Sequence, residues 1–268
     1  MKICGIDFTS RPCKRKPLTC MTFSLDGDRL SLTDQVSWPS FDGLDAFLRS
    51  PGPWIAGLDF PFGQPRNLID SLGWRQNWEG YVAEVGRLGP AAFQAEVEAF
   101  KAGRPTGQKE YRRKTDIAAS SISPMKFYGV PVGKMFAHGA PRLVEAGVTV
   151  PGLRLGDGDR IVVEAYPGVA IRSLIGRRPY KTDAKRKQTE AHHQARQEVA
   201  TLLRDGKNHF SLRIDMPDDA VNDPTGDRLD SIICAAQAAW AWQRREDGYG
   251  MPRGTDRLEG WIADPTLV

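Results

Sequence analysis

An apolar run opens the chain at Ile3 and stops at Asp7, which predicts a short buried strand over residues 2–7. Two β-rich segments follow, at residues 17–25 and 29–34. Asp26-Gly27-Asp28 joins them with the turn chemistry of a hairpin, so the first three segments predict an antiparallel meander. Ser40 is placed to cap a helix over residues 41–48 that puts Phe41, Leu44, Phe47 and Leu48 on one face. Pro51-Gly52-Pro53 ends that helix, and residues 54–58 form the next apolar strand. The order is therefore β-β-β-α-β.

Residues 64–115 interrupt this order. Trp74, Trp78, Tyr81, Val82, Val85 and Leu88 recur at helical spacing, and Pro90 opens a second helical stretch to about residue 100. The segment reads as a helical insertion ending in a polar loop over 103–116. Its position directly after Asp59 makes it a candidate lid over substrate. Core packing is the first expectation for its aromatic residues, with base stacking as the functional alternative. Further helices are expected over 133–146 and 168–175, with a strand over 160–165 between them. A basic segment at 177–187 leads into a long helix ending near residue 203. The final helix spans about 227–245, with Leu229, Ile232, Ile233, Ala236 and Trp240 on its apolar face. The fold class is α/β.

The 268 residues suffice for a substantial core, and 40% hydrophobic with 26% charged residues is ordinary for a soluble globular protein. A net charge of +4 permits a polyanionic partner without requiring one. No apolar run approaches the length of a membrane helix, and the N-terminus lacks a signal-peptide core. Cys4, Cys13, Cys20 and Cys234 form no C-x-x-C pair, which argues against zinc or dithiol redox chemistry. Cys4 and Cys234 sit among apolar residues, as buried thiols do, and a reducing cytoplasm is the expected location.

Five acids stand out. Gly5-Ile6-Asp7-Phe8 and Gly57-Leu58-Asp59-Phe60 repeat one pattern, each strand delivering a carboxylate at its end. Glu164 lies near the end of a third strand, and Asp227 and Asp230 share a face at the start of a helix. Each has a purely structural alternative: turn formation for Asp7 and Asp59, a satisfied polar group for Glu164, helix capping and dipole pairing for Asp227 and Asp230. Together they form a hard-oxygen set suited to Mg²⁺ or Mn²⁺, because clustered carboxylates need a cation or a shared proton to offset their repulsion. Two such ions, roughly 3.5–4 Å apart, serve phosphodiester hydrolysis. Positive charge is concentrated in three places: the loop Arg11-Pro12-Cys13-Lys14-Arg15-Lys16, the segment 103–116, and residues 172–187 with Arg172, Arg177, Arg178, Lys181, Lys185, Arg186 and Lys187 against Asp183. Such segments either form a phosphate-binding rim or are simply solvated.

The motifs Gly5-Ile6-Asp7, Gly57-Leu58-Asp59-Phe60-Pro61-Phe62-Gly63, Arg113-Lys114-Thr115-Asp116, Val163-Glu164-Ala165-Tyr166-Pro167 and Asp227-Arg228-Leu229-Asp230 resemble those of the DUF429 family, in the family's order and over nearly the whole chain. The resemblance implies a single ribonuclease H-like domain over residues 1–268, with a mixed sheet and the helical insertion after its fourth strand. It implies a metal-dependent nuclease in which Asp7, Asp59 and Asp230 take the places of the metal-holding acids. Glu164 and Asp227 are expected to complete the catalytic shell. Arg113, Lys114 and Lys181, which lie in or near these motifs, are the expected substrate contacts, with a nucleic acid as the partner. Two other classes stay open: an actin-like nucleotide phosphohydrolase or phosphotransferase, and a nucleic-acid-binding protein without catalysis.

Overall fold

The computed structural model describes residues 1–182 and 184–268, so Asp183 of the basic segment lies outside the described residues. Seven strands form one mixed sheet. In chain order they are β1 (Lys2–Asp7), β2 (Leu18–Asp26), β3 (Arg29–Trp38), β4 (Trp54–Leu58), β5 (Val148–Thr149), β6 (Asp157–Glu164) and β7 (Arg213–Asp215). Across the sheet they lie β5-β6-β4-β1-β2-β3-β7. β1, β2 and β3 form the expected antiparallel meander, and Gly27-Asp28 turns between the paired Asp26 and Arg29. β4 runs parallel to β1, and β6 parallel to β4. The short β5 and β7 have no counterpart in the sequence reading. Two or three residues carry too little periodicity to stand out, and parallel pairing at the sheet edges is what orders them.

Helices cover both faces, as a parallel centre requires. On one face lie α1 (Phe41–Leu48), α2 (Arg66–Ser71), α3 (Trp78–Ala102) and α5 (Val132–Ala146), packed over Cys4, Ile6, Ala56, Leu58 and Val162. The short α4 (Lys114–Ala118) stands in what the sequence predicts as polar loop. On the other face, α6 (Pro167–Ile175), α7 (Glu190–Arg204), α8 (Asp219–Asn222) and α9 (Asp227–Gln243) cover Ile3, Ile55, Ile161 and Val163. α9 is buried continuously from Leu229 to Ala241, so it is a central helix rather than an amphipathic one.

The insertion is part of the core. Trp78 and Tyr81 are fully buried; the Trp78 indole donates to the Phe62 carbonyl at 2.6 Å, and the Tyr81 hydroxyl donates to the Leu258 carbonyl at 2.8 Å. Trp74 precedes the helix, whose N-terminus Asn77 caps, but its ring still stacks on Tyr81. α3 is kinked at Gly89, which takes φ 76° ahead of Pro90. The expected lid is thus a packed layer that holds the loop after β4 from behind.

Candidate metal centre

Strand parity decides which carboxylates meet. In the parallel register Gly5 pairs with Gly57 and Ile6 with Leu58, so Asp7 and Asp59 leave adjacent strands side by side; the Asp59 amide donates to the Ile6 carbonyl at 3.0 Å. Side chains alternate along a strand. Ile6 and Leu58 face the α3–α5 layer, so Asp7 and Asp59 face α9. The two glycines of the repeat explain how α9 comes so close. A Cβ on Gly5 would lie 1.9 Å from the Ser231 carbonyl oxygen, and one on Gly57 would lie 2.2 Å from that of Cys234. The helix backbone rests directly on the sheet at both points. Ser231 anchors it there, accepting from the Asp7 amide at 3.2 Å and donating to the Thr19 carbonyl at 3.0 Å.

Asp230, one residue before Ser231, is carried to the strand ends. Carboxylate oxygens of Asp7, Asp59 and Asp230 all lie within 4.8 Å of one another, with Asp7 and Asp230 buried and Asp59 partly so. Burial, then the Asp227 and Asp230 carboxylates, push Asp7 well above the ordinary carboxylate range. Burial and Asp230 push Asp59 up to about 7. Tyr180 donates its hydroxyl to Asp230 at 2.7 Å, and Lys181 forms an ion pair with the other oxygen. Burial pulls the Lys181 ammonium down, but Asp230, Tyr180 and Asp7 outweigh it and hold Lys181 well above its usual value. Tyr180 is a site residue that the sequence reading misses; its only signal is adjacency to Lys181.

The other two acids stand apart from this triad. β6 pairs Glu164 with Leu58, one residue short of Asp59, so the same alternation points Glu164 to the opposite face. Its oxygens accept from Arg113 at 2.6 and 2.8 Å and from the Phe62 amide at 2.8 Å. Asp227 lies one helical turn before Asp230, half-buried, near enough to raise Asp7 but outside the 4.8 Å group.

Arg113 is 1% exposed. All five of its guanidinium N–H groups are used: two on Asp116, two on Glu164 and one on the Glu259 carbonyl, at 2.6–3.0 Å. The residue expected to meet substrate is therefore fully engaged in a buried network that ties β6 to the loop after β4. Lys114 is exposed, and its amide donates to Glu259 at 2.8 Å. Of the basic segment, Arg172 bonds the Ala119 carbonyl and Arg178 pairs with Glu198 at 2.7 Å, whereas Lys181 reaches the acids. Arg11 and Arg15 are exposed in the loop after β1.

A family model described as "Protein of unknown function (DUF429)" matches residues 5–256. The chain belongs to the DUF429 family. No curated protein and no solved structure matches this DUF429 chain. The match spans all three triad acids, both glycines on which α9 rests, and Arg113, Asp116 and Glu164 of the buried network; Glu259 lies beyond it. No helix among the described residues is long and apolar enough to cross a membrane.

The triad sets a pH prediction. Asp7 and Asp59 hold protons more tightly folded than unfolded. Their contribution to stability is present below the unfolded carboxylate pKa, about 3.9, and is lost as pH rises through about 7. Metal-free protein is therefore expected to melt several degrees lower at about pH 8 than at about pH 5. Mg²⁺ or Mn²⁺ should restore most of that loss at the higher pH. Thermal melts with chelator and with metal check this, and a melting temperature at the higher pH indifferent to both ions would refute it.

Proposed function

We propose that this protein is a divalent-metal-dependent phosphodiesterase acting as a nuclease, built on a ribonuclease H-like sheet. The observation that carries the reading is the convergence of Asp7, Asp59 and Asp230 from two parallel strand ends and one helix. The sheet supports it: a three-stranded antiparallel meander continues through parallel β4 and β6, with the acids at the carboxyl ends of its central pair. The donor set fits Mg²⁺ or Mn²⁺, being three carboxylates with no soft ligand in the group. Asp7, Asp59 and Asp230 would hold the metal, which when bound would supply Lewis acidity for phosphoester hydrolysis.

The remaining residues prepare that site. Ser231 and the two glycines set the distance from α9 to the strands. Glu164 and Arg113 fix the turn that carries Asp59, through the Phe62 amide. They are positioning residues, and so is Asp227, whose charge raises the affinity of Asp7 for a proton or a cation. Lys181 pairs with Asp230, is 35% exposed at its side chain and lines a cleft, where it is available to a phosphate.

The test is Mg²⁺ and Mn²⁺ calorimetry on wild type, Asp7→Asn and Asp230→Asn, followed by a cleavage screen over DNA, RNA and branched substrates. Wild type is expected to bind metal and cleave; both variants should lose both properties. Asp7→Asn should also raise the metal-free melting temperature, because it removes a buried, mutually repelled carboxylate. Full metal-dependent cleavage by Asp7→Asn would sink the assignment. Saturable ATP binding in the same calorimeter would favour the phosphotransferase alternative.

A further inference from the structure

Asp59 and Asp230 of the triad line a cleft of about 400 Å³ that combines charged and apolar residues. Lys181 lines it beside these two acids. Ile122, Val130, Val132, Met135, Tyr166 and Ile262 supply an apolar wall. Ile122 is 41% exposed and Val130 60%, and neither is covered by another part of the described chain. Open aliphatic surface beside a charged pocket marks a ligand that is itself part apolar and part anionic.

The Tyr166 backbone is held on both its polar groups. Its amide donates to the Gln237 side-chain oxygen at 3.0 Å, and its carbonyl accepts from the Gln237 nitrogen at 3.3 Å. Gln237 in turn donates to the buried Asp264 at 2.7 Å. The ring lies over Gly168, where an added Cβ would come within 2.8 Å of it. The tyrosine of Glu164-Ala165-Tyr166-Pro167 is thus a rigid, partly exposed platform, close enough to Asp59 to feel its charge.

From this juxtaposition the geometry points to an unpaired nucleotide as the occupant of the cleft: its base lies on Tyr166 against the Ile122–Val130 wall while its phosphate meets the triad and Lys181. This deepens the nuclease reading and rests on it, making single-stranded nucleic acid the substrate class. A paired base keeps its faces stacked inside the helix, so only an unpaired or extruded base can cover this wall. A single nucleotide fits within a cavity of this size.

The experiment is fluorescence anisotropy of the full chain with end-labelled 12-mers in Ca²⁺: single-stranded DNA, single-stranded RNA, the same strand with abasic sites, and a duplex. The single strands are expected to bind roughly 5- to 150-fold more tightly than the abasic strand. Tyr166→Ala and Val130→Asp should erase that difference, whereas Tyr166→Phe should keep it. Val130 is exposed enough that its variant has no folding reason to fail. The ratio of DNA to RNA affinity says which sugar the cleft admits. Equal binding of abasic and normal strands, preference for duplex, unchanged binding by Val130→Asp, or no binding of any strand would each overturn the inference. Metal calorimetry on the same variants separates the two readings. Metal bound without base dependence leaves the nuclease site and removes this inference. Base-dependent binding without metal leaves this cleft and removes the metal-dependent reading.

Discussion

Replacing Arg113 by methionine is expected to destabilise the protein by about 3–5 kcal/mol, among the largest effects of any single change. The guanidinium is 1% exposed and, among the described residues, is the only cation paired with both Asp116 and Glu164, themselves 2% and 4% exposed. Methionine restores the stem but leaves two buried carboxylates facing each other without compensation. Arg113→Lys is expected to rescue little, because a single ammonium cannot reproduce five directed bonds to two carboxylates and a carbonyl. Urea denaturation measures both. A loss under about 1 kcal/mol for Arg113→Met would show that the network is better solvated than its geometry implies. The expected damage to function is indirect: Glu164 also accepts from the Phe62 amide, so loosening it frees the turn that carries Asp59.

The second large effect is expected at the glycines beneath α9. A methyl group at Gly5 would meet the Ser231 oxygen at 1.9 Å and the Ala235 nitrogen at 2.3 Å; at Gly57 it would meet the Cys234 oxygen at 2.2 Å. These are backbone atoms of a buried helix, which cannot turn aside as a long side chain would. Gly5→Ala and Gly57→Ala should each cost about 1–3 kcal/mol or more. They should also abolish divalent-metal binding, since lifting α9 takes Asp230 away from Asp7 and Asp59. Gly158→Ala is the control: its added Cβ meets nothing within 4 Å, and stability and metal binding should stay at wild-type levels. Denaturation and metal calorimetry on the three variants decide the matter. Wild-type metal affinity in Gly5→Ala would mean that the helix and the triad are not coupled in this way.

Sequence alone determined where most of the elements lie and where three of the acids emerge. Apolar runs, the Asp-Gly turn and the Pro-Gly-Pro break are local signals, and β1, β4 and α1 fall where those signals put them. The repeated Gly-x-Asp-Phe pattern was legible for the same reason, since each copy is read within a few residues. The parity of Glu164 was not, because it depends on pairing with Leu58 more than a hundred residues away. A one-residue offset sends a side chain to the other face of a sheet. Nor could charge alone tell Arg113 from Lys181. Both sit in basic stretches, and only packing buries the first among carboxylates and brings the second to Asp230, 49 residues further along the chain. The purpose of Gly5 and Gly57 likewise appears only when α9 lies against them. The apolar wall of the cleft is gathered from separate segments between Ile122 and Ile262. Local patterning specifies strands and their ends; which side chains share a face, a charge or a cavity is set by register and close packing, which no short stretch of sequence contains.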